Sequence, residues 1–129
     1  MSFGKRTLLA LVLLACPAVA ETTEEMLSSC KVLAGDVRLL GDNKIWMPTD
    51  FESGKCWGAF ATLQAAIVRI VGESKTPVFG VCSPENSTRT QLITIFVEYA
   101  KKNPRFLNED FFTVAIRALR EAFPCPAPQ

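Results

Sequence analysis

No histidine occurs among the 129 residues of this chain. Its absence removes the side chain most used as general base, proton shuttle and metal ligand near neutral pH. Ser–His–Asp and Cys–His arrangements for nucleophilic catalysis are excluded with it. A glycine-rich phosphate loop is also missing. Gly72-Glu73-Ser74-Lys75-Thr76 has the look of such a loop's tail, but it lacks the upstream glycine and follows a helical pattern rather than a strand. Neither sign of charge is in excess, with 14 basic against 13 acidic residues, so there is no footprint for nucleic acid or an anionic membrane surface. No apolar run reaches the roughly 20 residues a spanning helix needs, and there is no internal repeat. Paired carboxylates remain a conceivable catalytic device, as in glycoside hydrolysis. The conspicuous pairs, Glu24/Glu25 and Glu109/Asp110, sit where helix N-termini favour negative charge. The expectation is a protein that is not an enzyme and holds no cofactor or metal.

What is present begins with an export leader over residues 1–20. Lys5 and Arg6 form its basic start, Thr7 to Ala15 a short apolar stretch, and Ala18-Val19-Ala20 a small-residue cleavage site. Leu13 to Cys16 also matches a lipoprotein cleavage box, but Pro17 is a poor context for lipidation at Cys16, so release after Ala20 is preferred. The remaining residues, 21–129, suffice for a single domain with a modest core. Loss of Lys5 and Arg6 leaves 12 bases against 13 acids, a net charge of −1. The expected location is the periplasm.

The exported part keeps Cys30, Cys56, Cys82 and Cys125, an even number in a small secreted domain, which predicts two disulfides. Zinc is the rival explanation, but the spacings are long and irregular, no Cys-x-x-Cys pair occurs, and histidine ligands are lacking.

Helical periodicity dominates. The first predicted helix runs from about Thr22 to Leu33, with Thr22 and Glu25 as a capping box, Met26, Leu27, Cys30 and Ala34 on one face, and Gly35 as its stop. Residues 35–54 read as a long loop whose Leu39, Leu40, Ile45, Trp46 and Met47 are expected to pack over the bundle rather than contact a partner. The second helix, Cys56 to Val71, is apolar on nearly every side, so it is expected to be central and buried or to supply a subunit interface. An irregular stretch including Asn86-Ser87-Thr88 leads into a third helix, Thr88 to Lys102, with Gln91 completing a second box and Leu92, Ile93, Phe96, Val97 and Ala100 as its stripe. The fourth starts near Asn108, buries Phe111, Phe112, Ala115, Leu119 and Ala122, and stops at Pro124. The fold class is all-α: a small four-helix bundle, with room for extra short helices, stapled by two disulfides.

The short joint between helices three and four makes them an antiparallel hairpin. The start of one then lies beside the end of the other, which brings Cys82 to Cys125. Similarly, Cys30 late in helix one meets Cys56 at the start of helix two. Chain entropy does not choose this pairing. It gives about 3.5 and 4 kcal/mol for loops of roughly 27 and 44 residues, and similar totals for the other connectivities.

Several short motifs together resemble the Rap/Tai family of type VI secretion immunity proteins. They are Cys56-Trp57-Gly58, Cys82-Ser83-Pro84 followed by Thr88 and Gln91-Leu92, Tyr99 with Asn103-Pro104, and the terminal stretch from Ala118 to Cys125. The chain departs from the family pattern at Phe60, Ala61 and Asn103, positions that touch packing more than chemistry. The resemblance implies a periplasmic helical protein, commonly a homodimer, that neutralises a peptidoglycan amidase by plugging its cleft. The expected contact is the tip between helices three and four, with Lys101, Lys102, Arg105, Phe106, Glu109 and Asp110. The plainer account of these residues is dipole-matched helix ends around an ordinary turn. A periplasmic chaperone or envelope-stress protein is the alternative function, and lipid binding is disfavoured because helix two lacks a polar face.

Overall fold

The computed structural model describes residues 20–42, 44–70 and 77–127; most of the expected leader, with Cys16, and also Val71 and the Gly72–Thr76 stretch lie outside them. Helix α1 (Thr23–Cys30) is followed by a single helical turn, α2 (Leu33–Asp36), and then by two short strands, β1 (Arg38–Leu40) and β2 (Lys44–Trp46). Helix α3 (Phe51–Gln64) continues as a wider π-helical segment over Ala65–Ile70. After a tight turn at Val78–Gly80 come α4 (Arg89–Lys102), a 3₁₀ turn (Pro104–Phe106) and α5 (Phe111–Ala122). The fold is mostly helical, and both disulfides form as Cys30–Cys56 and Cys82–Cys125, with Cα–Cα separations of 5.3 and 4.9 Å. No helix among the described residues is long and apolar enough to cross a membrane.

The stripe expected on α4 is the centre of the core: Leu92, Ile93, Phe96, Val97 and Ala100 are all fully buried. Phe60 of α3, Phe96 of α4 and Phe111 of α5 meet there, with ring centroids 5.2 to 5.7 Å apart and rings tilted or edge-on. Such pairs add roughly 0.5–1.5 kcal/mol beyond the area they bury. One triad therefore ties three helices together. At the far end of the α4–α5 hairpin, the Cys82 amide donates to the Phe123 carbonyl at 3.0 Å, so the second disulfide reinforces an existing backbone contact.

Helix ends follow their capping chemistry. Thr22 and Glu25 form the reciprocal box, with the Thr22 amide 2.9 Å from the Glu25 carboxylate. Thr88 accepts from the Gln91 amide at 3.2 Å.

Four local expectations change. Helix α1 ends at Cys30 rather than at Gly35, because the chain re-aims to bury Leu33 completely and Gly35 falls inside α2. Helix α3 begins at Phe51, five residues before Cys56, because Asp50 caps it by accepting from the Ser53 amide at 2.9 Å. It is not buried all round: Cys56, Phe60, Leu63 and Ile67 face the core, whereas Gly54, Gly58, Thr62 and Ala65 face outward. Small residues leave little apolar area in water, so that exposure costs little. On α5, Phe111, Ala115 and Leu119 are buried as expected, but Phe112 and Ala122 are exposed and Val114, Ile116 and Ala118 take the inner positions.

Part of the predicted loop is a β-hairpin. Arg38 pairs with Trp46, Leu39 with Ile45 and Leu40 with Lys44, around a turn in which Asp42 takes a positive φ of 62°. Gly-Asp is the turn chemistry such a loop uses. The hairpin stands off the bundle, leaving Leu40, Ile45 and Trp46 exposed, while Met47 and Val37 pack against the core.

Candidate interaction surface

The joint between α4 and α5 is locked by its own backbone. Asn103 ends α4, its side-chain amide donating to the Tyr99 carbonyl at 2.9 Å. Pro104 then starts a 3₁₀ turn closed by Leu107 N–H to the Pro104 carbonyl at 3.2 Å. Helix α1 completes the tip. The first amides of a helix have no partner within it, and here those of Thr23 and Glu24 donate to the Glu109 and Leu107 carbonyls, both at 2.9 Å. In return the Phe111 amide donates to the Glu21 carbonyl at 3.0 Å. The tip is thus held at both α1 and α5 before any side chain is counted.

The six side chains predicted to form a contact divide into three groups. Asp110 is the N-cap of α5, accepting from the Thr113 amide and hydroxyl at 2.9 and 3.0 Å, and Glu109 pairs with Arg117 at 3.2 Å. Phe106 is held in a stack: Tyr99 lies parallel to it at 6.2 Å, with the Arg105 and Arg117 guanidinium carbons 4.6 and 4.4 Å from its centroid. Lys101, Lys102 and Arg105 reach solvent, Lys101 forming a pair with Glu98 at 3.5 Å along α4. The structure therefore brings Arg105, Phe106 and Glu109 together around Arg117. It leaves Lys101 and Lys102 on the last turn of α4.

Arg117 had no local signal, since it lies two turns into α5 and reaches back to the tip only through helix periodicity. Phe79 and Phe112 were also missed as surface residues. Their rings meet edge to face at 5.4 Å on the outer side of α5.

Charge is organised mainly at the helix starts. Glu25 is held below the usual carboxylate range by the Thr22 amide and hydroxyl, Asp50 by the Ser53 amide and hydroxyl, and Glu52 by the Ser29 hydroxyl and Lys55. Lys55 is pushed up by Glu21 and then Glu52, and so ties α3 to the segment just before α1. These are capping and bracing groups. Among the described residues there is no cluster of three or more His, Cys, Asp or Glu able to hold a metal ion.

Compared with known proteins, residues 22–125 match the family model described as Rap1a immunity proteins. No curated protein and no solved structure matches the chain.

Proposed function

The chain belongs to the Rap1a immunity protein family, which implies a protein effector as its partner, and we propose that this effector is a peptidoglycan amidase met in the periplasm. The family match over residues 22–125 is the observation that carries this reading. Two further features support it. Paired disulfides suit an oxidising, exported setting. A backbone-locked tip loses little conformational freedom on binding, so more of the contact energy appears as affinity.

In this reading the protein acts as an inhibitor and blocks the amidase's cleft. Lys101, Lys102 and Arg105 supply the charge at the contact, while Phe106, Glu109 and Asp110 shape the tip that presents it. The protein also pairs with a second copy through the outer face of α3, where Phe51 is 77% exposed and a Cβ added at Gly54 or Gly58 would meet nothing within 4 Å.

Rescue tests the central reading. A peptidoglycan amidase whose gene lies beside this one is exported to the periplasm with and without the protein, and lysis is scored. Protection, together with direct inhibition by the purified protein, is the expected result. Lysis at the same rate, with no binding in titration, overturns it. Reversing charge at Lys102→Glu and Arg105→Glu is expected to weaken inhibition without moving the melting temperature. Gly58→Trp is expected to convert a dimer into folded monomers in analytical ultracentrifugation; an unchanged sedimentation coefficient would remove the α3 face from consideration.

A further inference from the structure

We infer that the groove between the Val78–Val81 turn and the outer face of α5 is a second docking site for the effector, receiving an apolar side chain carried beside a carboxylate. The inference rests on the effector-binding reading above and adds a surface that adjoins the tip at Arg117.

The turn itself is the first observation. Val81 N–H donates to the Val78 carbonyl at 3.1 Å, and both central residues have positive φ, 56° at Phe79 and 70° at Gly80. That is the backbone of a type I′ turn, which favours Asn, Asp or Gly at its first central position. A bulky aromatic at positive φ is strained, and strain of this kind persists where the surroundings over-determine it and function uses it. Here the surroundings are explicit. Arg120 Nε donates to the Phe79 carbonyl, Val81 bridges to Pro124, and the Cys82–Cys125 disulfide follows directly. Gly80 is needed twice, since a Cβ there would also meet Arg120 Nε at 3.2 Å.

The strained turn presents its ring to solvent rather than burying it. Phe79 is 41% and Phe112 44% exposed. The two rings touch edge-on, and Thr113, Ile116, Arg117 and Arg120 complete the groove. Its volume, about 270 Å³, lies just below the range of small-molecule sites, roughly 300–1,000 Å³. It suits one side chain of a larger partner.

Charge then selects the partner. Two guanidinium groups line the groove and no carboxylate does; Arg117 is paired with Glu109 at the tip, whereas Arg120 makes no ion pair among the described residues and is the charge left for a partner. A second copy docking here about a two-fold axis would set these arginines against their own counterparts. A partner with a carboxylate next to an apolar side chain meets both halves of the surface. Phenylalanine and arginine are also enriched at protein interfaces relative to the rest of a surface.

Glycine tolerates the Phe79 backbone without strain, so Phe79→Gly separates docking from folding. We expect this variant to keep or raise the melting temperature while weakening affinity for the amidase used in the rescue test at least tenfold, mainly through faster dissociation. Phe112→Ser, on the solvent side of α5, is the second variant and is expected to show the same pattern. Wild-type affinity in both overturns the docking site and leaves the family-based reading standing. A wild-type protein with no affinity for that amidase overturns the reading itself, and the docking site with it.

Discussion

Arg89 lies over the indole of Trp57, its guanidinium carbon 4.5 Å from the ring centroid. A cation in the first turn of a helix opposes the helix dipole, so Arg89 at the start of α4 needs another source of stability. The Trp57 face on α3 provides it, and Gln64 adds a weak contact at 3.4 Å from Arg89 Nε. Burial lowers the Arg89 pKa. Replacing Arg89 with alanine is expected to cost about 1 kcal/mol, the size of a partly desolvated cation–π contact. Arg89→Lys should retain part of it. Chemical denaturation followed by Trp fluorescence checks this; an alanine variant as stable as the wild type would show that the stacking contributes nothing.

Removing the Phe96 ring should be far more damaging. Its partners Phe60 and Phe111 come from two other helices, and Phe96 itself is fully buried. Phe96→Ala is expected to lose about 3–5 kcal/mol. A small domain has only about 5–15 kcal/mol in total, so the variant should melt broadly and expose apolar surface to dye. A loss below about 1 kcal/mol would mean that the triad is not the centre of the core.

The pH response follows from which groups are shifted and in which direction. Glu25, Asp50 and Glu52 have folded-state pKa values below their unfolded ones. Their stabilisation is complete above the ordinary carboxylate range of about 4 to 4.5 and is lost as pH falls through the lowered folded values, since the unfolded chain takes up protons first. Lys55 is shifted upward. Its contribution is complete below about pH 10 and is lost as pH rises through the raised value. The chain has no histidine, and Cys30, Cys56, Cys82 and Cys125 are joined in disulfides, so neither side chain that ordinarily titrates near neutral pH acts among the described residues. The melting temperature is expected to be level from about pH 5.5 to 9 and to fall on both sides. A step near pH 6.5 would contradict this account.

The two disulfides should differ in reactivity. Cys30 and Cys56 are fully buried, whereas Cys82 and Cys125 are half-buried at the open end of the α4–α5 hairpin. Thiol exchange requires access to a sulfur. A mild reductant followed by alkylation and peptide mapping is therefore expected to label Cys82 and Cys125 first. Early labelling of Cys30 would reverse the assignment.

The bundle was legible in the sequence where side-chain pattern alone decides structure. The α4 stripe, the Thr22–Glu25 box, the antiparallel hairpin and both cysteine pairs follow from periodicity, capping chemistry and loop length. Misreadings arose where tertiary contacts choose among local options. Asp50 was available as a cap, but Gly54 disguised the first turns of the helix it starts. Gly-Asp-Asn marked a turn, yet nothing local revealed that the strands it joins would leave Trp46 in solvent. For the six tip residues, the sequence placed them at the joint between two helices but did not show the contacts among them. Those contacts depend on Arg117 and on the amides of Thr23 and Glu24, all distant along the chain. Phe79 carried a faint signal in the glycine that follows it, since Phe-Gly gives no other hint of positive φ at the aromatic.

The backbone contacts of Glu21 and the covalent bond of Cys125 have a practical corollary for anyone handling the purified protein. Glu21 is fastened to the first turn of α5 and Cys125 just beyond its last, about 18 Å apart at 1.5 Å per residue. A bead or sensor chip coupled near residue 21 would shadow the Arg105 pole, and one coupled near residue 125 would shadow the Phe79 pole. Immobilising the molecule first by one end and then by the other is thus a mutation-free way to mask each pole in turn.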